Sequence, residues 1–256
     1  MVKHFSFTIK MKIAKGIETI ELVMKLTGQA SIIHPTLIWD ENETILVDTG
    51  IPGQNGEINE AIGKAGVPNN KLTKIILTHQ DFDHIGSLSE ILKTSDHKIE
   101  VLAHEVEKPY IEGDKPLIKM NAERVAKMTE SLPEEQRLKI KAIFEIPLSA
   151  NVDQTISDEE LLPFCGGITV IYTPGHTPGH VSLYHHQSKT LIAGDALVAD
   201  NGVLMGPRPA VTPDMETALQ SIKKFTKYDI EQVICYHGGS VKENVNLQIS
   251  ELANSK

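Results

Sequence analysis

Residues 78–86, THQDFDHIG, crowd four side chains that can bind a metal ion into six positions: His79, Asp81, Asp83 and His84. His79 and Asp81 are two positions apart and can point the same way from an extended loop. Asp83 and His84 open the next helix and are available to a second centre. The spacing therefore predicts that one loop supplies ligands to two metal ions.

Several apolar runs with strand character end in a residue that can bind a metal ion. ILVDTG contains Asp48, IILTH ends in His79, TLIAGD ends in Asp195 and VICYH ends in His237. In α/β proteins, ligand sites form at strand ends because the sheet holds the backbone rigid while the loops let side chains converge. YTPGHTPGH adds His176 in a turn of glycine and proline. We expect a site assembled from distant segments, in which the two carboxylate oxygens of Asp195 bridge two ions.

Some of these residues also have a purely structural interpretation. Asp81 or Asp83 before an apolar periodic run is typical of a helix N-cap. Asp48 is equally explained as a turn residue of the DTG sequence. His180 is interpreted as a strand or turn residue, with orientation of a ligand loop as its alternative.

The elements that position these residues alternate between strand and helix. KIILTH followed by DHIGSLSEILK predicts a β-to-α transition at the motif, because the apolar spacing changes from strand to helix. Residues from about 105 to 150 depart from this rhythm and predict a helical insert, split at Leu132-Pro133. The insert is interpreted as helices that pack on the body, with a lid over the metals as the alternative. Further along, Thr212 and Pro213 are predicted to cap and begin a helix.

The bulk composition is that of a globular protein. The 256 residues are 40% hydrophobic and 23% charged, and we expect one domain over residues 1–256 that carries the insert. The formal net charge of -9 disfavours nucleic acid and anionic membranes as partners, since both attract a Lys/Arg surplus. A small-molecule substrate is the expected partner, and a homodimer stays open.

The location of the protein and the role of its cysteines follow from what the sequence lacks. No stretch is long and apolar enough for a secretory signal or a membrane span, so we expect a cytoplasmic protein. Cys165 and Cys235 lie 70 positions apart and form neither a metal-binding CxxC nor a disulfide framework. They are interpreted as small buried side chains.

Four blocks, THQDFDHIG, TPGHTPGH, AGDAL and CYHGG, resemble in this order the motifs of the metallo-β-lactamase-fold metallohydrolase superfamily. The resemblance extends to its lactonase and glyoxalase II-like members, whose pattern is H-x-H-x-D-H followed by His, Asp and His. It implies an α/β fold over nearly the whole chain, a four-layer αββα sandwich, with the helical insert outside the common core.

The resemblance also implies a ligand set. His79 and His176 correspond to the ligands of one metal, and Asp195 to the carboxylate that lies between the two metals with a water or hydroxide. The ligands of the other metal correspond to Asp83, His84 and His237. Asp48 corresponds to the aspartate that orders the site from behind the ligands.

Asp81 departs from the family pattern, which most often has a histidine at this position. A carboxylate is a harder ligand than imidazole and adds a negative charge, which favours harder ions. We therefore expect two divalent ions, with zinc implied by the resemblance and manganese or iron admitted by Asp81.

The expected activity is that of a binuclear metal-dependent hydrolase that acts on a small ester-like substrate, a lactone or a thioester. The metals would lower the pKa of a bridging water to give a hydroxide nucleophile, held and oriented by the catalytic carboxylates Asp83 and Asp195. Asp195 stands where subclass B1 β-lactamases have cysteine, which argues against an antibiotic-degrading enzyme. Two alternatives remain: a phosphoester or phosphotriester hydrolase, and a non-catalytic metal-binding sensor or regulatory protein.

Overall fold

The computed structural model describes residues 10–25, 30–67, 72–120, 122–144 and 146–255, and all structural statements refer to these ranges. Within them the chain forms two large sheets that pack face to face, with helices on the outer side of each sheet.

The first sheet has seven strands in the order β1-β2-β5-β6-β7-β8-β9. Neighbours from β1 to β6 are antiparallel, whereas β6, β7, β8 and β9 are parallel to one another. The strands are β1 (Lys10–Ala14), β2 (Ile17–Ile20), β5 (Thr36–Trp39), β6 (Thr44–Val47), β7 (Lys74–Ile76), β8 (Glu100–His104) and β9 (Gln154–Ile156).

The second sheet has six strands in the order β10-β11-β12-β13-β16-β17. Only the pair β13 and β16 is parallel among the described strands of this sheet. The strands are β10 (Leu161–Leu162), β11 (Ile168–Tyr172), β12 (Val181–His185), β13 (Thr190–Gly194), β16 (Gln232–Cys235) and β17 (Gly239–Val241). Two small hairpins complete the β structure: β3 (Leu22–Lys25) with β4 (Ala30–Ile33), and β14 (Val198–Asp200) with β15 (Val203–Met205).

The helices fall into three groups. Three helices lie along the chain between strands β6, β7 and β8 of the first sheet: α1 (Asn55–Lys64), α2 (Phe82–Ile85) and α3 (Leu88–Thr94). The second sheet carries α7 (Met215–Ile222) and α8 (Val245–Asn254), with 3-10 turns at Pro209–Val211 and Lys223–Lys227. The segment between β8 and β9 contains α4 (Lys108–Ile111), α5 (Ala122–Thr129) and α6 (Glu134–Phe144).

The layers are held together by three apolar cores, one at each interface between layers. Strand side chains alternate between them: Ile45 and Val47 of β6 face the other sheet, whereas Leu46 faces the helices of its own side. On β16, Ile234 faces the first sheet and Val233 faces the outer helices. This period of two buries both faces of each sheet, and the predicted αββα sandwich is confirmed.

Two local predictions have different outcomes. The split of the insert is confirmed, because α5 ends at Thr129 and α6 begins directly after Pro133. The predicted start of the later helix at Thr212 is wrong, since α7 begins at Met215 and Asp214 accepts a hydrogen bond from the Thr217 amide (2.9 Å). The chain between Thr212 and Asp214 is not yet helical, so Thr212 is free for another role.

In the part of the chain that the structure describes, no helix combines the length and the apolar character needed to cross a membrane.

Candidate metal centre

The site lies where parallel strands of the two sheets end side by side. Asp48 follows β6 and His79 lies just beyond the neighbouring β7, while Asp195 follows β13 and His237 lies just beyond the neighbouring β16. Carboxyl ends of adjacent parallel strands meet at one edge of a sheet, so each sheet brings two of these side chains together. His176 comes from the turn between β11 and β12.

The first group of ligand-type side chains consists of His79, His176 and Asp195. One nitrogen or oxygen of each lies within 4.8 Å of those of the others, and all three residues are buried. His176 Nε2 lies 3.1 Å from Asp195 Oδ2. We call this group the first cluster.

The second cluster consists of Asp83, His84 and His237, whose ligand atoms also lie within 4.8 Å of one another. His237 Nε2 is 3.3 Å from Asp83 Oδ2. The Asp83 side chain is 21% exposed, whereas that of His79 in the first cluster is fully buried. Asp83 is therefore the most exposed side chain of the two clusters.

Asp195 joins the two clusters. Its Oδ2 faces His176 Nε2 of the first cluster and lies 3.5 Å from His237 Nε2 of the second. Its Oδ1 lies 3.4 Å from His84 Nε2. The sequence predicted this bridging place from the second oxygen of the carboxylate.

Three buried atoms of the centre fit metal ions. Among the described residues, His79 Nε2, His84 Nε2 and Asp195 Oδ1 are buried without a hydrogen-bond partner. Buried polar atoms are normally satisfied, because an unpaired one costs free energy. Nitrogen and carboxylate oxygen atoms are ligands that zinc, manganese and iron accept, so the residues present fit divalent ions.

The environments of the histidines differ. Burial, reinforced by the neighbouring His84, lowers the pKa of His79 to about 4, so its ring is neutral at pH 7 and offers a lone pair. For His237, burial is outweighed by the carboxylates of Asp195 and Asp83, which raise its pKa to about 9. Metal binding at His237 therefore has to release a proton.

Asp81 lies beside the first cluster. It precedes α2, but its side chain makes no capping hydrogen bond, so the N-cap alternative does not describe what the carboxylate does. Asp81 Oδ2 lies 3.3 Å from His79 Nε2, 3.0 Å from His176 Nε2 and 2.6 Å from Lys119 Nζ. Burial would raise the pKa of Asp81, but His79, His176 and Lys119 outweigh it and hold the pKa well below its usual range.

Asp48 supports the site from behind. Its Oδ1 accepts the Thr78 amide (2.9 Å), and its Oδ2 pairs with the Thr78 hydroxyl (2.8 Å) and with His84 Nδ1 (2.8 Å). Its φ of 63° lies in the left-handed region, which Asp tolerates better than most residues. The contact with His84 agrees with the interpretation of Asp48 as the residue that orders the site from behind, whereas the chain at Asp48, directly after β6, does not form a turn.

Three further residues contact the ligand-type side chains or their backbone. The sequence analysis interpreted Thr212 and His180 as structural and did not single out Tyr236. His176 Nδ1 lies 3.2 Å from the Thr212 hydroxyl. The His180 ring accepts the Asp195 amide at Nε2 (3.0 Å), so the alternative role of His180 as a residue that orients a ligand loop is the one seen. The Tyr236 ring stacks on His84 at 3.8 Å, and its hydroxyl donates to the Asp83 carbonyl.

A buried glutamate ties three segments of the site together. Glu107 Oε2 accepts hydrogen bonds from the Gln80 amide (2.9 Å) and side chain (3.0 Å), and Oε1 accepts the Gly179 amide (2.6 Å). Gln80 Oε1 in turn accepts the Ile118 amide (2.9 Å). Neither Glu107 nor Lys119 carries a sequence signal, because both reach the site from the segment between β8 and β9.

The backbone beside His237 is closely packed. Gly238 has φ of 96°, and a Cβ on this residue would overlap the carbonyl oxygen of Ala199. The Ala199 amide donates to the His237 carbonyl (3.0 Å), which binds the β14–β15 hairpin to this residue of the second cluster.

Comparisons with known proteins agree with this arrangement. A family model described as the metallo-beta-lactamase superfamily matches residues 29–237. "Probable metallo-hydrolase YflN" of Bacillus subtilis (strain 168) is 34% identical over an alignment of 257 positions. The alignment covers 93% of this chain and 92% of that protein. "Hydroxyacylglutathione hydrolase GloC" of Haemophilus influenzae is 27% identical over 196 residues, with 73% of this chain and 76% of that protein covered.

A solved structure shows the same fold. The metallo-beta-lactamase family protein TTHA1429 from Thermus thermophilus superposes with a TM-score of 0.71 at 22% identity, covering 94% of this chain and 79% of that one. At 22% identity, this structural similarity is evidence for the fold only.

Proposed function

The chain belongs to the metallo-beta-lactamase superfamily and is a metallo-hydrolase, and from this premise we propose that it hydrolyses a small ester-like substrate, a lactone or a thioester, at a two-ion centre. The observation that carries the proposal is the pair of ligand clusters on either side of Asp195. A two-ion centre suits acyl transfer because one carboxylate orients the reacting water between two sets of ligands.

His79, His176 and Asp195 would hold one ion, and the second cluster would hold the other. When bound, the ions supply a Lewis acid for the substrate carbonyl and lower the pKa of a water molecule. Zinc suits the histidine-rich set, and Asp81 admits manganese or iron(II) beside it.

The residues of the chain orient the reactants. Asp195, fixed by the hydrogen bond from its amide to His180, presents both oxygens to the space between the clusters. Asp83 is the more exposed of the two carboxylates, so solvent and substrate would reach it more readily than Asp195. Together they would orient the attacking water, and Asp83 would accept a proton from it.

The substrate class draws support from one relative. GloC is named as a hydrolase of hydroxyacylglutathione. Acyl groups on glutathione are thioesters, which supports thioesters as one arm of the substrate test.

The experiment is a panel of a lactone, a thioester and a phosphodiester, assayed with the purified protein loaded with zinc, manganese or iron(II). Metal-dependent turnover of the lactone or thioester is the expected result. Turnover of the phosphodiester alone would overturn the proposal in favour of phosphoester hydrolysis. Metal binding without turnover of any member would overturn it in favour of a sensor or regulatory protein.

Removal of single ligands tests the site. Asp195→Ala and His176→Ala are each expected to abolish metal-dependent turnover, because each removes a ligand of the first cluster and Asp195 also serves the second. Asp200→Ala, on an exposed hairpin residue, is the matched control and should retain wild-type turnover. Full activity in either ligand variant would refute the assignment of the site.

A further inference from the structure

We propose that Lys119 is a cation built into the chain that competes with the metal ion for Asp81 and His176, so that the two halves of the centre bind metal with unequal affinity. The inference rests on the proposed two-ion centre and specifies how the ions fill it. A chain-borne ammonium would occupy the first cluster until a second ion displaces it.

The contacts of Lys119 place its ammonium at the ligand atoms. Nζ lies 2.6 Å from Asp81 Oδ2 and 2.7 Å from His176 Nε2. These two atoms are 3.0 Å apart and face the same space as His79 Nε2. The ammonium therefore bridges a carboxylate and an imidazole in the way expected of a cation.

His176 makes the two occupants mutually exclusive. An ammonium group has three donors and no acceptor, so in the His176 tautomer that accepts from Lys119 the contact uses the single lone pair of Nε2. The other nitrogen, Nδ1, is engaged with the Thr212 hydroxyl. A metal ion at Nε2 needs the same lone pair, and the lysine has to leave before the ion can bind there.

Charge explains why a lysine and an aspartate occur together here. Asp81 brings one negative charge to a position where the family pattern has a neutral histidine, and Lys119 brings one positive charge. The two side chains are only 13% and 6% exposed, and buried charges are costly unless they are paired. The pair therefore restores the charge that a histidine alone would give.

The backbone holds Lys119 in this position. The Ile118 amide donates to Gln80 Oε1, and Gln80 is fixed by the buried Glu107. The residue before Lys119 is thus bonded to the residue between His79 and Asp81. These hydrogen bonds fix the backbone next to Lys119, so the fold itself places the ammonium group at the first cluster.

In the part of the chain that the structure describes, the second cluster has no such competitor. Among the described residues, no lysine or arginine forms an ion pair with Asp83. The Asp83 carboxylate instead faces His237 Nε2 at 3.3 Å. The first ion is therefore expected to fill the second cluster, and the next ion to bind more weakly because it has to displace Lys119.

The test is metal titration of the full-length, chelator-treated protein by calorimetry, with zinc and with manganese. Wild-type protein is expected to bind in two separated steps. Lys119→Met should strengthen the weaker step by about tenfold or more, since removal of a nearby positive charge favours a divalent ion, and leave the tighter step unchanged. Lys115→Met, an exposed lysine of the same segment, is the matched control and should behave as wild type.

An unchanged or weakened second step in Lys119→Met would overturn the inference. A second measurement on the wild-type protein covers the case in which that variant folds poorly. Acetylation by an amine-reactive ester, followed by peptide mass spectrometry, should spare Lys119 at zero and one equivalent of zinc and modify it at two. Lys115 should react throughout, and protection of Lys119 at two equivalents would equally refute displacement.

These readouts separate the inference from the proposed activity. Two-step binding governed by Lys119 in a protein that hydrolyses none of the panel would support the inference and refute the proposed activity. Hydrolysis of a lactone or thioester by a protein that binds both ions with equal affinity, with no change in Lys119→Met, would support the proposed activity and refute the inference.

Discussion

At the scale of single residues, Asp48 determines how firmly the second cluster is held. Its carboxylate receives the Thr78 amide and hydroxyl and faces His84 Nδ1, so the other ring nitrogen of His84 points toward Asp195. Burial lowers the pKa of His84, but Asp48 and Asp195 outweigh it and raise that pKa well above its usual value. A carboxylate behind a histidine ligand fixes the ring and makes it more basic.

Asp48→Asn is therefore expected to weaken metal binding at the second cluster by about 10- to 100-fold. Asparagine tolerates the left-handed backbone but places an amide against His84 and removes the charge. Competition with a chromophoric chelator would measure the affinity. Asp96→Asn, an exposed aspartate, serves as control, and an unchanged affinity in Asp48→Asn would contradict the orienting role.

The sequence predicted the residues of the centre better than the contacts among them. The motif spacing singled out the ligand-type side chains that the structure brings together, because a short loop and four strand ends leave few other arrangements. The sequence did not indicate Lys119, because a lysine in a helical insert is normally solvated. Its contacts with Asp81 and His176 also join residues that are 38 and 57 positions apart in the sequence. Only the path of the insert determines such a contact.

At the scale of elements, Asp158 fastens β11 to the helical layer outside the second sheet. Its Oδ1 accepts the Tyr172 amide (2.8 Å), and its Oδ2 accepts from Lys224 Nζ (2.7 Å), which lies in the 3-10 turn after α7. Burial would raise the pKa of Asp158, but Lys224 and the Tyr172 amide outweigh it and lower the pKa. The ionised carboxylate is thus the form that stabilises the fold.

Asp158→Asn is expected to lower the free energy of unfolding at pH 7 by about 0.5–1 kcal/mol, a small amount because the 39% exposed side chain is screened by solvent. A depressed carboxyl pKa contributes stability above the unfolded-state value of about 3.9. That contribution is lost as pH falls through the lower folded-state pKa. Urea unfolding of both proteins should show the difference at pH 7 and its decline below about pH 4, and a difference that grows on acidification would contradict it.

Helix boundaries show where local sequence reasoning reaches its limit. Thr212 and Asp214 are both good capping residues, and nothing in the local pattern distinguishes them. In the structure Asp214 caps α7, and the Thr212 hydroxyl instead lies 3.2 Å from His176 Nδ1. The break before α6 was predictable since Pro133 excludes a continuous helix whatever its surroundings.

At the scale of the whole molecule, the centre lies where strands of the two sheets end side by side. The first sheet provides Asp48 and His79, the second provides Asp195 and His237, and the inter-sheet core fixes one sheet against the other. The family resemblance predicted this architecture, and the strand ends predicted that the site is assembled from distant segments. An ion that binds ligands from both sheets links them, so metal binding and global stability are coupled.

Removal of metal is therefore expected to lower the melting temperature. An ion present at 100 times its Kd adds about 2.7 kcal/mol, which corresponds to about 5–10 °C for a chain of this size. Calorimetric scans with zinc and with excess chelator would measure the shift. Asp195→Ala, which lacks the shared ligand, should show little dependence on zinc, and an equal shift in that variant would place the stabilising ion elsewhere.

The close packing of Gly238 on Ala199 restricts which variants of this protein can arise. Any side chain at residue 238 would push the β14–β15 hairpin away from His237, so a substitution there would disturb a residue of the second cluster that it does not replace. The chain around His237 is therefore expected to stay fixed as related proteins diverge.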